Sequence, residues 1–488
     1  MENFETNFRE VFARLRQIDF LGESGPPFPF EVPPIQAAVA AAIQQGANRI
    51  PYLFRTSYSD PLLRSLSALM QDGQEHRSLL ETLTGAVYQH AQPELIGPLR
   101  RLLAVTSDLF RSFLSNKRRT AADVRLVEAI PPLAIFQRDG GAGPFTYTCS
   151  DVQRYTGASV GVVSLPASYR DHPLLWTTLA HETGGHDVIH ADPLLLPELE
   201  RGAKTLFGGG PQRDTDKLSS DEAFALLWSY WMEEAAADVY AIMNVGPSFG
   251  LNLAVYFSAL NAQIDKSNEP VLHSSTGFSA TDPTHALDTH PGDLLRLSLI
   301  SGAVESLRSL SSATKARWTS KFDALAGICG QKATEIHVTG VIADGPGRHI
   351  PVELTIPMPV MQEAARKVGA FVATSKLNAL SGKSIQDIET WDNDDESTAN
   401  RIAARFASEQ SAAGAGDDAQ ILAGANLALF ESPSDYENIT RAVEEALDVS
   451  FLQDPYWAKL SPNRIGSSSA QLSLKGSGLT PLTLIGGG

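Results

Sequence analysis

Cysteine is nearly missing from this chain: Cys149 and Cys329 are the only two, they lie far apart, and neither has a CxxC partner. That argues against a disulfide-stapled scaffold and against a cysteine-ligated zinc. Two reduced, buried thiols are the expectation, with a single bridge the alternative. Basic residues are the scarcer charge, 39 against 56 acidic, and the net charge of −17 gives no attraction to nucleic acid or an anionic membrane. No apolar run approaches a membrane span. Met1 to Phe20 carries Glu2, Glu5, Arg9, Arg14 and Asp19 with no apolar core, unlike a signal peptide. A soluble, cytoplasmic protein is expected.

Several chemical signatures are also missing. There is no recognisable serine or cysteine triad, and neither Gly140-Gly141 nor Gly208 to Gly210 leads into the Lys-Ser/Thr of a phosphate loop. The run Asp392 to Glu396 lacks the glycine and distal glutamate of a calcium-binding EF-hand and reads as a solvated loop entering a helix.

What is present is an ordinary folded composition, 43% hydrophobic and 19% charged, in a chain of 488 residues that calls for two or three domains. The pattern is α+β and predominantly helical, and it suggests a helical N-terminal region (1–123), a core (124–330) and an α+β C-terminal region (331–488) with a loose Ser/Gly-rich tail from about 467. Phe4, Phe8, Phe12 and Leu15 recur at helical spacing. Five prolines between 22 and 34 then break the pattern, an alanine-rich helix follows from Ile35, and further helices are expected between Leu62 and Leu114. Between Val124 and Leu165 the texture turns to strands. Ser159 to Pro166 is either an edge strand able to accept an extended peptide or a purely structural one. Asp221 to about Asn244 reads as one long helix. Beyond Thr334, two strands flank Asp344-Gly345-Pro346-Gly347, with helices to follow.

One ten-residue stretch stands apart: His181-Glu182-Thr183-Gly184-Gly185-His186-Asp187-Val188-Ile189-His190. Neutral imidazoles suit a zinc ion, and a neighbouring carboxylate suits deprotonation of a zinc-bound water. His181 and His186 are five apart, however, so on a regular helix they diverge by roughly 140°. If both hold one ion, the helix must be distorted between them, and Gly184-Gly185 stands where a π-bulge would be needed. A third ligand can come from the next long helix, where Glu234 is the choice. Asp238, one turn on, would then fix a ligand imidazole, with Glu233 beside it. Glu182 would be the base. Unpaired acids among Trp228, Trp231, Met232 and a run of alanines would be costly, which speaks against chance. In the other register, His186 and His190 ligate with Asp187 as base; in the first, His190 neighbours the site. His285 is most simply a hydrogen-bonded loop residue.

His181-Glu182-Thr183-Gly184-Gly185-His186 resembles the HExxxH motif of the dipeptidyl-peptidase III family, and Glu233-Glu234-Ala235-Ala236-Ala237-Asp238 resembles its EExxA(E/D) motif. That resemblance covers two hexapeptides. It implies a zincin-like core with an active-site helix pair, one zinc held by His181, His186 and Glu234, and Glu182 as catalytic base. Thr289-His290-Pro291 with Arg296 is similar to a segment of several gluzincin-type peptidases, which would make His290 an oxyanion stabiliser and Arg296 an anchor for nearby acids. Alternatively, Asp288 and Thr289 cap a helix beginning near Pro291. The expected function is therefore a zinc metallopeptidase acting on a peptide or protein substrate. A zinc-binding scaffold without turnover and a non-peptide amide hydrolase are the rivals.

Overall fold

The computed structural model describes residues 2–20, 92–116, 130–137, 143–157, 160–209, 220–277, 285–330, 333–343 and 349–454, with a few positions between 79 and 90. The proline-rich stretch, the alanine-rich helix at Ile35, most of the helices expected between 62 and 95, and the tail lie outside these residues. The architecture is predominantly helical α+β, with a mixed three-stranded sheet and a two-stranded hairpin. No helix among the described residues is long and apolar enough to cross a membrane, and both cysteines are buried without a disulfide.

Helix α1 (Glu2–Leu15) buries Phe8, Phe12 and Leu15, as the spacing predicts. Helix α2 (Ile96–Leu114) packs on strand β1 (Ile130–Phe136). After β2 (Phe145–Tyr147) comes helix α3 (Cys149–Thr156), started by a hydrogen bond from the Asp151 amide to the Thr148 hydroxyl, so Val152 is helical rather than in a strand. Strand β3 (Val160–Leu165) is buried at every position and lies between the other two, parallel to β1 and antiparallel to β2. Its sequence, apolar apart from Ser164, is that of a strand covered on both faces. It is therefore central, with both edges occupied, and the edge nearest the histidine stretch belongs to β2. Pro131 and Pro132, which cannot donate to a ladder, sit in the other edge strand.

The chain then passes through two 3₁₀ turns, Ala167–Asp171 and Pro173–Thr178, into helix α4, which is built of Leu179–His181, a π-helical turn Glu182–Asp187 and Val188–Ala191. Helix α5 (Leu195–Leu206) follows. The long helix expected from Asp221 is interrupted at Trp231, giving α6 (Ser220–Tyr230) and α7 (Met232–Val245). Every residue of α7 except Glu233 is buried. Helices α8 (Ser248–Ile264) and α9 (Asp293–Ser306) pack against it, and α10 (Ser312–Cys329) packs in turn on α9 and α8. The antiparallel hairpin of β4 (Glu335–Ala343) and β5 (His349–Pro357) precedes α11 (Met358–Thr374), which packs along α9. Helices α12 (Asn393–Ala407), α13 (Asp418–Glu431) and α14 (Tyr436–Gln453) complete the described chain, and one continuous apolar cluster runs through these layers. Asp392 caps α12 through the amides of Asp394 and Asp395, as a loop entering a helix should.

Away from this core, Glu389 collects negative neighbours. Burial, with the charges of Asp108, Asp395 and Asp417, pushes its carboxyl up to about 8 against a hydrogen bond from Asn116 at 2.8 Å. Because the folded value exceeds the ordinary 4.5, the native state holds this proton more tightly. That contribution is fully present below the unfolded value and is lost as pH rises through the folded one. Glu389→Gln keeps an acceptor for Asn116 and removes the charge. It should stabilise the protein at pH 9 by on the order of 1 kcal/mol, with no gain at pH 4, read from urea midpoints.

Candidate metal centre

The π turn is what brings His181 and His186 together. Its i→i+5 bonding makes residues five apart neighbours across one turn, and the two imidazoles meet with centroids 4.8 Å apart and Nε2 atoms at 3.2 Å. The glycines matter here for space rather than for unusual dihedrals, since neither has a positive φ. A Cβ on Gly185 would lie 2.6 Å from both Cα and Cβ of Ala237, so the turn rests directly on the α7 backbone. A Cβ on Gly184 would lie 3.0 Å from Nδ2 of Asn244. Asn244 is itself held by the Ser112 hydroxyl, which donates to its Oδ1 at 2.6 Å.

This close approach sets α7 acids against α4 imidazoles. Glu234 Oε2 lies 3.1 Å from His181 Nε2, and Glu234 Oε1 lies 3.5 Å from His186 Nε2. Ligands bound at about 2.0–2.2 Å around a tetrahedral ion stand roughly 3.3–3.6 Å apart, close to this triangle. His181, His186 and Glu234 thus form a group able to hold a metal ion, their ligand atoms all within 4.8 Å of one another.

The far sides of both rings are held as metal-binding imidazoles require. Arg296, buried in α9, donates from Nε to Asp238 Oδ2 at 2.8 Å and from Nη2 to Oδ1 at 2.7 Å, with its guanidinium 4.9 Å from the Phe257 ring centre. Burial alone would raise the Asp238 carboxyl, but the Arg296 charge and hydrogen bonds outweigh it and keep it ionised. Asp238 can then only accept, so His181 donates from Nδ1 at 2.9 Å and turns the lone pair of its neutral form outward at Nε2. Glu233 does the same for His186, accepting from Nδ1 at 3.0 Å, and its Oε1 also accepts from His190 Nε2 at 2.8 Å. Those two bonds overcome burial and bring Glu233 down to about 2.

The consequence is a buried point where two Nε2 lone pairs and a carboxylate converge, with Glu234 Oε2 lacking a hydrogen-bond donor. Such a point can hold a cation. Burial opposes charge on the imidazoles, yet the surrounding carboxylates raise His181, and raise His186 well above its ordinary value. A metal that needs neutral imidazoles must displace those protons. Metal binding at neutral pH should therefore release protons, and affinity should weaken as pH falls through the raised histidine values. Calorimetric titration in buffers of different ionisation enthalpy, repeated between pH 5.5 and 8, measures both.

Glu182, on the same π turn, is buried and accepts from the Thr146 hydroxyl at 3.0 Å. His290 reaches the centre from the loop before α9: its Nε2 lies 3.3 Å from Glu234 Oε1, and Asp288 Oδ1 meets its Nδ1 at 2.8 Å and its amide at 2.9 Å. The capping alternative for Asp288 is not what forms, because Gly292 precedes α9 without a side-chain cap. His190 stands at the rim with Glu233. Asp187 lies beneath β3, where a Cβ on Gly161 would be 3.0 Å from its Oδ1; both its oxygens lack partners, and burial raises its pKa well above the ordinary range. The His186 and His190 register, with Asp187 as base, is therefore not assembled. His285 adopts a positive φ of 54° and offers its carbonyl to the Val341 amide.

Sequence reasoning missed Thr146, which lies in a three-residue strand with nothing to mark it, and Asp288 as the partner of His290, although the two-residue interval was available. It also missed Tyr230 and Trp231, whose side chains turn toward the His290 loop where α6 breaks from α7. Comparison with known proteins leaves this geometry to speak for itself: no family model, no curated protein and no solved structure matches the chain.

Proposed function

We propose that the chain is a zinc-dependent metallohydrolase that cleaves peptide bonds, with the zincin-like helix pair α4 and α7 as its catalytic core. The observation that carries this reading is the buried convergence of His181, His186 and Glu234, beside a carboxylate, Glu182, that has a hydrogen-bond partner of its own outside the cluster. Two imidazoles and one carboxylate with near-tetrahedral spacing suit zinc better than magnesium or calcium, which prefer oxygen ligands and higher coordination. When bound, the ion supplies Lewis acidity toward a carbonyl and makes a coordinated water acidic.

The rest is work for the chain's own groups. Glu182, steadied by Thr146, takes the proton of the attacking water and passes it to the leaving amine. His290, its Nδ1 occupied by Asp288, presents Nε2 to the oxygen on which negative charge develops. Arg296 keeps Asp238 ionised, and Asp238 keeps His181 in the tautomer that ligates. Strand β2 is a sheet edge whose middle residue touches Glu182, so a peptide extended along it would pass the base. The likeness of the two hexapeptides to the dipeptidyl-peptidase III motifs agrees with these roles and leaves exopeptidase or endopeptidase action open to experiment. Residues 1–123 and 331–488 are read as regions flanking the 124–330 core.

The test is direct. Purified without chelators, the protein should carry about one zinc per chain by elemental analysis and cleave members of a peptide library, with the Glu182→Gln variant as the silent control. Metal without cleavage of any peptide would favour the scaffold or a different amide substrate, and absence of metal would defeat the proposal.

A further inference from the structure

The hairpin β4–β5 lies well beyond the histidine stretch in sequence, yet it holds the segment that carries His290. Strand β4 bridges this segment twice, Thr276 to Val338 and Ala286 to Val341. Leu287 donates its amide to the Val341 carbonyl at 2.9 Å, and Val341 donates to the His285 carbonyl at 2.9 Å. Between those contacts sits Gly340, where a Cβ would lie 2.6 Å from Leu287 Cα and 2.9 Å from Leu287 N. The backbone at 287 can reach β4 only because residue 340 has no side chain.

From the other side, the α6–α7 break holds the same loop. The Tyr230 hydroxyl donates to the Leu287 carbonyl at 2.5 Å, Trp231 Nε1 donates to the Asp288 carbonyl at 3.0 Å, and the Asp288 amide donates to the Gly277 carbonyl at 3.0 Å. Three residues after Trp231 comes Glu234. The loop is thus clamped between the helix that carries Glu234 and a hairpin from the C-terminal region, and Asp288 transmits its position to His290 through two hydrogen bonds.

We infer that Gly340 is a positioning residue for His290, acting through Leu287 and Asp288. A side chain at 340 pushes the 287–290 segment off β4 and moves His290 Nε2 relative to Glu234, leaving the α4 and α7 contacts alone. The catalytic part of this inference rests on the hydrolase reading; the positional part does not.

Gly340→Ala is the variant, with Glu353→Ala on the exposed face of β5 as control. In hydrogen–deuterium exchange, peptides covering 285–290 should exchange about 10-fold faster in Gly340→Ala, with 179–191 unchanged and the control like the parent. Zinc content should stay at the parental level while kcat falls about 10- to 100-fold with little change in KM. Combined with His290→Ala, the loss in kcat should be no greater than for His290→Ala alone. Unchanged exchange at 285–290, loss of metal together with turnover, or additive losses would each overturn the inference. Faster exchange at 285–290 in a protein that cleaves no peptide would instead count against the hydrolase reading and uphold the clamp. If Gly340→Ala does not fold, Tyr230→Phe removes the hydroxyl anchor on Leu287 and should give the same local rise in exchange; no rise there would equally overturn it.

Discussion

Glu182→Gln should abolish peptide cleavage while leaving the metal in place, and Glu234→Ala should lose both. The first substitution preserves shape and can still accept from the Thr146 hydroxyl, but it removes the group that takes a proton. General-base contributions of this kind amount to roughly 100- to 10,000-fold in rate. The second removes one side of the triangle whose other corners are His181 Nε2 and His186 Nε2. Losing a ligand should weaken metal binding beyond the roughly 10- to 100-fold that follows loss of a supporting hydrogen bond. Elemental analysis alongside turnover separates the two variants. The reverse pattern, metal lost in Glu182→Gln and kept in Glu234→Ala, would mean that base and ligand have been interchanged.

Gly185→Ala should be the most damaging single-methyl change near the site. Its Cβ would sit 2.6 Å from the Cα and Cβ of Ala237 and 3.0 Å from the Ala237 carbonyl oxygen, and backbone atoms within a buried helix cannot step aside as a side chain can. Overpacking of this sort costs about 1–3 kcal/mol. Here it would also lift the π turn away from α7, separating His181 and His186 from Glu234, so metal affinity should fall together with the urea midpoint. Gly184→Ala should be milder, because its nearest neighbour is the terminal nitrogen of Asn244, a side-chain atom. Ala237→Gly should not rescue Gly185→Ala, since the Ala237 Cα stands just as close. Parent-like stability and affinity in Gly185→Ala would contradict the steric account of the π turn.

Much of the site was readable before any coordinates. A five-residue interval between histidines demands a distortion if both are to face one ion, and the π turn lies over Glu182–Asp187, around the double glycine. Glu234 and Asp238 share a face because they are four apart on a helix, and acids on a buried helix whose other residues are apolar except for Asn244 must find partners. The hairpin, helix α1 and the late helices follow from alternation and 3.6-residue periodicity. Other features escaped for reasons of physics. The largely apolar sequence of β3 cannot tell a central strand from an edge one, because that depends on which strands pair with it. The long helix after Asp221 has no proline or glycine to announce its break at Trp231, where the side chains of Tyr230 and Trp231 reach the 287–288 backbone.

The chemistry of the stretch His181 to His190, its need for a bulge and its third partner on a second helix were determined by the sequence alone, because residue type and spacing within a helix are local properties. Only the tertiary structure decided why Gly185 must be glycine, that β2 rather than β3 borders Glu182, and that a hairpin beginning at Glu335 holds the His290 loop. Each of these depends on one backbone approaching another that is remote in sequence, and spacing along the chain carries no record of that.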